Sequence, residues 1–125
     1  MDLYQEQIID LAKNPLNRRE MPDANLMHSG VNVTCGDHIR LYLKTEPQGD
    51  DAVILDASWQ GEGCAISVAA ASFLTEEIKG MTLESARLLT KEDLFCWMGV
   101  ELGPARVKCG TLSLETLQGA LLQKE

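Results

Sequence analysis

The chain predicts an α+β fold in which helices pack on one face of a small three-stranded antiparallel sheet. Three observations carry that expectation. Two stretches of alternating hydrophobicity, 39–44 and 53–60, are separated only by the turn cluster Pro47-Gln48-Gly49-Asp50-Asp51, so they should pair antiparallel. The stretch 65–79 has helical periodicity and a wide apolar face. The order of elements is αβββ followed by helices, which sets the helices together against the sheet.

Taken in order, Leu3, Tyr4, Ile8, Leu11 and Ala12 lie near helical spacing and predict a short amphipathic helix over 3–12. Asn14-Pro15 stops it. From 16 to 32 the chain is polar and turn-rich, with Pro22, Asn25 and Gly30, and reads as an ordered loop or a mobile arm. Residues 31–34 predict a first strand running into Cys35-Gly36-Asp37. In the second strand Ile39, Leu41 and Leu43 alternate with His38, Arg40, Tyr42 and Lys44. In the third, Val53, Leu55, Ala57 and Trp59 form one face, and Ile54, Asp56, Ser58 and Gln60 the other.

The helix over 65–79 buries Ile66, Ala69, Ala70, Phe73, Leu74 and Ile78, and Gly80 ends it. The alanines at 69–71 point to close packing on the sheet. Thr82 and Thr90 are N-caps for two short helices over 83–89 and 91–98. A loop over 99–104 leads to a final helix over 108–123, with Leu112, Leu117, Ala120 and Leu121 inward. There is no internal repeat, low-complexity tract or linker, so the 125 residues read as one domain, long enough to bury an ordinary core.

Composition narrows the function. The chain is 45% hydrophobic and 24% charged, with a formal net charge of −8. An acidic balance argues against nucleic acid or an anionic membrane as partner, since both call for a basic footprint. The first residues lack the basic and apolar regions of a signal peptide. No stretch approaches the roughly 18 apolar residues of a membrane span. A cytoplasmic location is therefore expected, where thiols stay reduced. There, four cysteines read as metal ligands, catalytic groups or core residues before disulfides.

The stretch Gly61-Glu62-Gly63-Cys64-Ala65-Ile66-Ser67 stands out, because its glycine-flanked cysteine falls where the third strand gives way to a helix. Unpaired amides and the dipole at a helix start favour the thiolate, the form that binds metal and attacks sulfur. Cys35 in Thr34-Cys35-Gly36-Asp37 and Cys109 after Pro104-Ala105-Arg106-Val107-Lys108 also sit at turns or element ends. Asp37 lies two residues from Cys35, so in extended backbone their side chains share a face. These four residues are the candidates for one soft-metal site; zinc accepts mixed sulfur and oxygen donors, and iron–sulfur clusters favour thiolates. The spacings are not those of compact zinc fingers, and each cysteine alone also fits a small buried hydrophobe. Cys96, inside Leu94-Phe95-Cys96-Trp97-Met98, is assigned to the core. His28 and His38 are possible ligands, but a lone histidine is more often a surface or hydrogen-bonded residue. A Gly-rich phosphate loop, a Ser-His-Asp ordering and an HExxH motif are all absent.

Four segments together, Lys13-Asn14-Pro15-Leu16-Asn17, Thr34-Cys35-Gly36-Asp37, Gly61 through Ser67, and Ala105-Arg106-Val107-Lys108-Cys109, resemble the U-type iron–sulfur cluster assembly scaffold family of IscU, SufU and the NifU N-terminal domain. The resemblance spans nearly the whole chain in the right order. It implies a SufE/NifU-like α+β fold and a solvent-facing site made by Cys35, Asp37, Cys64 and Cys109. That site would hold zinc or a transient [2Fe–2S] cluster, and would receive sulfur as persulfide from a PLP-dependent cysteine desulfurase. Iron and electron donors and apo-protein cluster acceptors are the other implied partners, with a monomer or weak homodimer as the assembly.

IscU members carry a histidine where Lys108 stands. Lys108 and Arg106 match the SufU pattern, and imply a role in tuning a neighbouring thiolate or in partner contact. The IscU chaperone motif Leu-Pro-Pro-Val-Lys is reduced to Leu102-Gly103-Pro104-Ala105-Arg106, which weakens the expectation of a dedicated chaperone. The SufU insertion before the third cysteine is missing, so SufU-like site residues stand on an IscU-sized frame. Cys35 and Cys109 are the candidate persulfide acceptors. Three functions follow from these features: a cluster scaffold, a zinc-dependent sulfurtransferase of the SufU kind, and a metal-free interaction module whose cysteines are packed inside.

Overall fold

A computed structural model describes residues 3–32, 36–46, 52–99 and 104–122. The elements are α1 (Leu3–Lys13), β1 (Leu26–Asn32), β2 (Asp37–Glu46), β3 (Val53–Glu62), α2 (Ala65–Glu77), α3 (Leu83–Arg87), α4 (Lys91–Met98) and α5 (Pro104–Leu122). The three strands form one antiparallel sheet in the order β1-β2-β3. This is the α+β architecture expected. One sheet face, carrying Ile39, Leu41, Leu43, Ala57 and Trp59, joins the core with α2 and α5. Helix α2 is its centre, touching α1, α4, α5 and β3. Its run from Ser67 to Ser72 is buried without a break, because small side chains let neighbours close in on several sides. Thr82 and Thr90 cap α3 and α4 as expected, accepting from the amides of Ser85 and Asp93.

Several boundaries and faces differ from the sequence reading, each for a visible reason. The first strand is Leu26–Asn32 rather than 31–34; Val33 and Thr34 lie outside the described residues. Its inward positions are Leu26, His28, Gly30 and Asn32, so hydrophobic alternation is hidden. Close approach of α5 explains this choice. A Cβ on Gly30 would collide with Thr116 Oγ1, and one on Gly119 with the His28 ring. In β3 the expected face is broken by a bulge where the register shifts between Lys44 and Thr45. Ile54 therefore turns inward and Leu55 is left exposed. Cys96 is exposed, not in the core. Leu94 and Met98, one helical turn apart, take the buried face of α4, and Cys96 between them points away. Helix α5 starts at Pro104, a residue suited to the first helical position, so Cys109 lies within a helix rather than at its end. Among the described residues no helix is long and apolar enough to cross a membrane.

The polar segment after α1 is an ordered strap along the free edge of β3. The Trp59 amide donates to the Asn17 carbonyl (2.9 Å), and Trp59 Nε1 donates to the Leu16 carbonyl (2.9 Å). Asn17, at φ 61°, donates to Thr75 Oγ1 and Glu76 Oε1 and accepts from Lys79 Nζ. Arg18 lies over the Trp59 ring, 5.4 Å from its centroid. Arg19 pairs with Asp56 at 2.7 Å. An otherwise open strand edge is thereby covered.

These pairs give the strap a pH dependence. Burial pushes the Asp56 carboxyl up, but hydrogen bonds from Arg19 and the Ala57 amide, with the Arg19 and Lys79 charges, carry it below the usual carboxylate value. Glu76 is lowered too, by hydrogen bonds from Asn17 and Lys79. A carboxyl lowered in the folded state stabilises it at and above the unfolded value of about 4, and that share is lost as pH falls through the lower folded value. The urea midpoint should therefore fall more steeply between pH 5 and 3 in the parent than in Asp56→Asn. The difference should stay within the ~0.2–1 kcal/mol of a solvent-screened pair. Equal slopes would show that the pair contributes nothing.

Candidate metal and sulfur site

Asp37 opens β2, and Cys64 follows the end of β3 as the N-cap of α2. Because His38 is opposite Glu62 in the β2–β3 ladder, the antiparallel register carries Asp37 to the glycine turn ahead of Cys64. That close passage requires the glycines. Gly61, at φ +147°, has no room for a Cβ, which would strike the His38 carbonyl oxygen. A Cβ on Gly63 would stand 3.0 Å from the Asp37 carboxyl carbon and Oδ1.

Around the carboxylate a small network forms. The Cys64 amide donates to Asp37 Oδ1 at 3.2 Å, and the Ser67 hydroxyl donates to Asp37 Oδ2 at 2.6 Å. Cys64 Sγ lies 3.9 Å from Asp37 Oδ2 and 3.7 Å from Ser67 Oγ. Asp37 is buried, with 3% of its surface exposed, so it forms the floor of the site rather than its open face. Cys64 is half-buried and makes no side-chain capping bond. The carboxylate thus takes over the capping of α2, where amides and dipole favour a negative group, and the thiol is not spent on a capping bond.

The separation of sulfur and carboxylate fits a shared metal. A thiolate and a carboxylate oxygen on one tetrahedral zinc lie about 3.6 Å apart, given the usual bond lengths. The observed 3.9 Å is within a few tenths of an ångström of that. Two of the four expected site residues are therefore brought together. Cys35 lies outside the described residues. Arg106, Lys108 and Cys109 lie on α5, but their side chains are not among those described. Ser67 was missed as a site residue, although its position three after Cys64 puts it on the first turn of α2, facing back toward the cap. His38 is exposed and lines a shallow cleft of about 450 Å³ beside the site, with Arg18, Gln60, Gly61 and Glu62.

The fold and this strand-to-helix turn place the protein with the NifU-like N-terminal domains. The structure resembles that of FiSufU from Fervidobacterium islandicum AW-1, with a TM-score of 0.72 and 29% identity, covering 93% of this chain and 94% of that one. The N-terminal NifU-like protein of Brucella abortus shares the fold alone, at a TM-score of 0.73 and 18% identity. Residues 3–124 match the NifU-like N terminal domain, and the chain belongs to that family of IscU-, SufU- and NifU-type proteins. It is 36% identical to the zinc-dependent sulfurtransferase SufU of Bacillus subtilis, over 98% of this chain and 92% of the relative. It is also 36% identical to the iron–sulfur cluster assembly scaffold protein IscU of Thermotoga maritima, over 95% and 92%. Equal identity does not choose between the two activities.

Proposed function

We propose that this chain is a cytoplasmic scaffold of one domain, residues 1–125, on which a [2Fe–2S] cluster is assembled and then passed to apo-proteins. The observation that carries this reading is the meeting of the Cys64 thiol and the Asp37 carboxylate at 3.9 Å, at a site backed by the amide end of α2. Cys35, Cys64, Cys109 and Asp37 hold the cargo. Sulfur arrives when a thiolate of Cys35 or Cys109 attacks the outer sulfur of the desulfurase persulfide; a new S–S bond forms and the desulfurase thiolate leaves. Reduction of that sulfur to sulfide takes two electrons from the electron-donor partner. Lys108 and Arg106 favour the attacking thiolate or contact the desulfurase. Three sulfurs and one oxygen make a less inert seat than four thiolates, which suits release.

The second reading, a zinc-dependent sulfurtransferase, is favoured by Lys108 in place of the IscU histidine and by the similarity to the Bacillus protein. In it the same four residues hold zinc, which would keep their thiols as thiolates. Anaerobic reconstitution with iron, cysteine, a reductant and a PLP-dependent cysteine desulfurase separates the two. The scaffold predicts stable visible absorption at about one cluster per chain or dimer, lost on treatment with apo-ferredoxin. Retained zinc with faster desulfurase turnover and no cluster would replace the scaffold by the transferase.

A further inference from the structure

Asp37 is held in place by a residue that has no part in the four-ligand site. Ser67 is 1% exposed, and its hydroxyl reaches Asp37 Oδ2 at 2.6 Å, the shortest of the bonds described around the carboxylate. It stands at the third helical position of α2, where a side chain ordinarily reaches back to the amide of its own N-cap. Here that amide, on Cys64, is taken by Asp37 Oδ1. The capping box is therefore built from two elements: the strand supplies the carboxylate and the helix supplies the hydroxyl that anchors it. Two bonds to two different oxygens fix both the position and the plane of the carboxylate. Oδ2, the oxygen Ser67 holds, is also the one that lies 3.9 Å from Cys64 Sγ.

We propose that Ser67 is a positioning residue that aims Asp37 at the metal or cluster iron shared with Cys64. This rests on the assignment of Asp37 and Cys64 as ligands, and it adds the device that keeps the oxygen ligand in register with the sulfur. Without the hydroxyl, the carboxylate loses its 2.6 Å bond and, among the described residues, keeps the Cys64 amide and the longer Cys64 Sγ contact, which hold its plane less firmly. Outer partners of metal-bound carboxylates act in this way, and their loss typically lowers metal affinity 10–100-fold.

The test is zinc affinity, measured by competition with a chromophoric chelator, together with the absorption spectrum of the cobalt(II)-substituted chain. Ser67→Ala should bind zinc about tenfold more weakly than the parent and show altered cobalt bands. In an Asp37→Ala background, adding Ser67→Ala should cost no more than about twofold, since a residue acting only through Asp37 has nothing left to aim. A merely structural serine would weaken both backgrounds alike and leave the cobalt bands unchanged; that result overturns the proposal, as does parental affinity in the single variant. Cys64→Ala binding zinc as tightly as the parent would instead remove the underlying ligand assignment, and the positioning role with it.

Discussion

Replacing Cys64 by alanine should remove metal binding and cluster assembly while leaving the fold in place. The expected loss of zinc affinity exceeds the ~100-fold upper end seen for outer partners of a ligand, because a ligand itself is lost. The fold should survive because the half-buried Cys64 side chain adds only long sulfur contacts, 3.9 Å to Asp37 Oδ2 and 3.7 Å to Ser67 Oγ, to what its backbone already holds. Its side chain makes no capping bond, and its amide reaches Asp37 Oδ1 whatever side chain stands there. Thermal unfolding of the metal-free variant should lie within a few degrees of the metal-free parent, since a ΔΔG below about 1 kcal/mol moves Tm only that far. Parental zinc content after anaerobic purification would show that the thiol is not a ligand. A collapse of the metal-free fold would show that its role is structural.

Trp59→Ala should be the most damaging single change to stability, at about 3–5 kcal/mol. Trp59 is 1% exposed and lies opposite Leu41 in the sheet, so its loss opens a cavity in the core. It also releases the strap, because its Nε1 holds the Leu16 carbonyl and its ring lies under Arg18. That loss is a large part of the 5–15 kcal/mol typical of a domain. The urea midpoint should fall accordingly, and Tm by about 10–20 °C. Trp59→Phe, which keeps most of the volume and loses the indole N–H, should cost nearer 1–2 kcal/mol. A loss below 1 kcal/mol for the alanine variant would mean that the strap and core do not depend on the indole.

The parts of the molecule legible in the chain are those with local periodicity. Ile39, Leu41 and Leu43 alternate and are buried as expected, and Thr82 and Thr90 cap because each bonds an amide three residues on. The strand β1 was hidden because its inward residues, His28 and Gly30, are chosen to fit α5 rather than to be apolar. Cys96 has apolar neighbours in sequence, but Leu94 and Met98 have the buried face. Leu55 looked inward until one bulge turned Ile54 in its place. At the site, the glycine-flanked Cys64 and the aspartate after Cys35 were visible as candidates, whereas Ser67 looked like an ordinary helix residue.

By itself the sequence determined the α+β class, the strand and helix order, and which side chains have chemistry suited to soft metal and sulfur. Each of these is written in residue type and short-range spacing. Only the tertiary structure decided that Asp37 is buried, that Ser67 and the Cys64 amide divide its two oxygens, and that residues 16–19 close the edge of β3. These pairings join residues tens of positions apart. A buried donor or acceptor must find a partner wherever the folded chain brings one, and no local pattern records where that is.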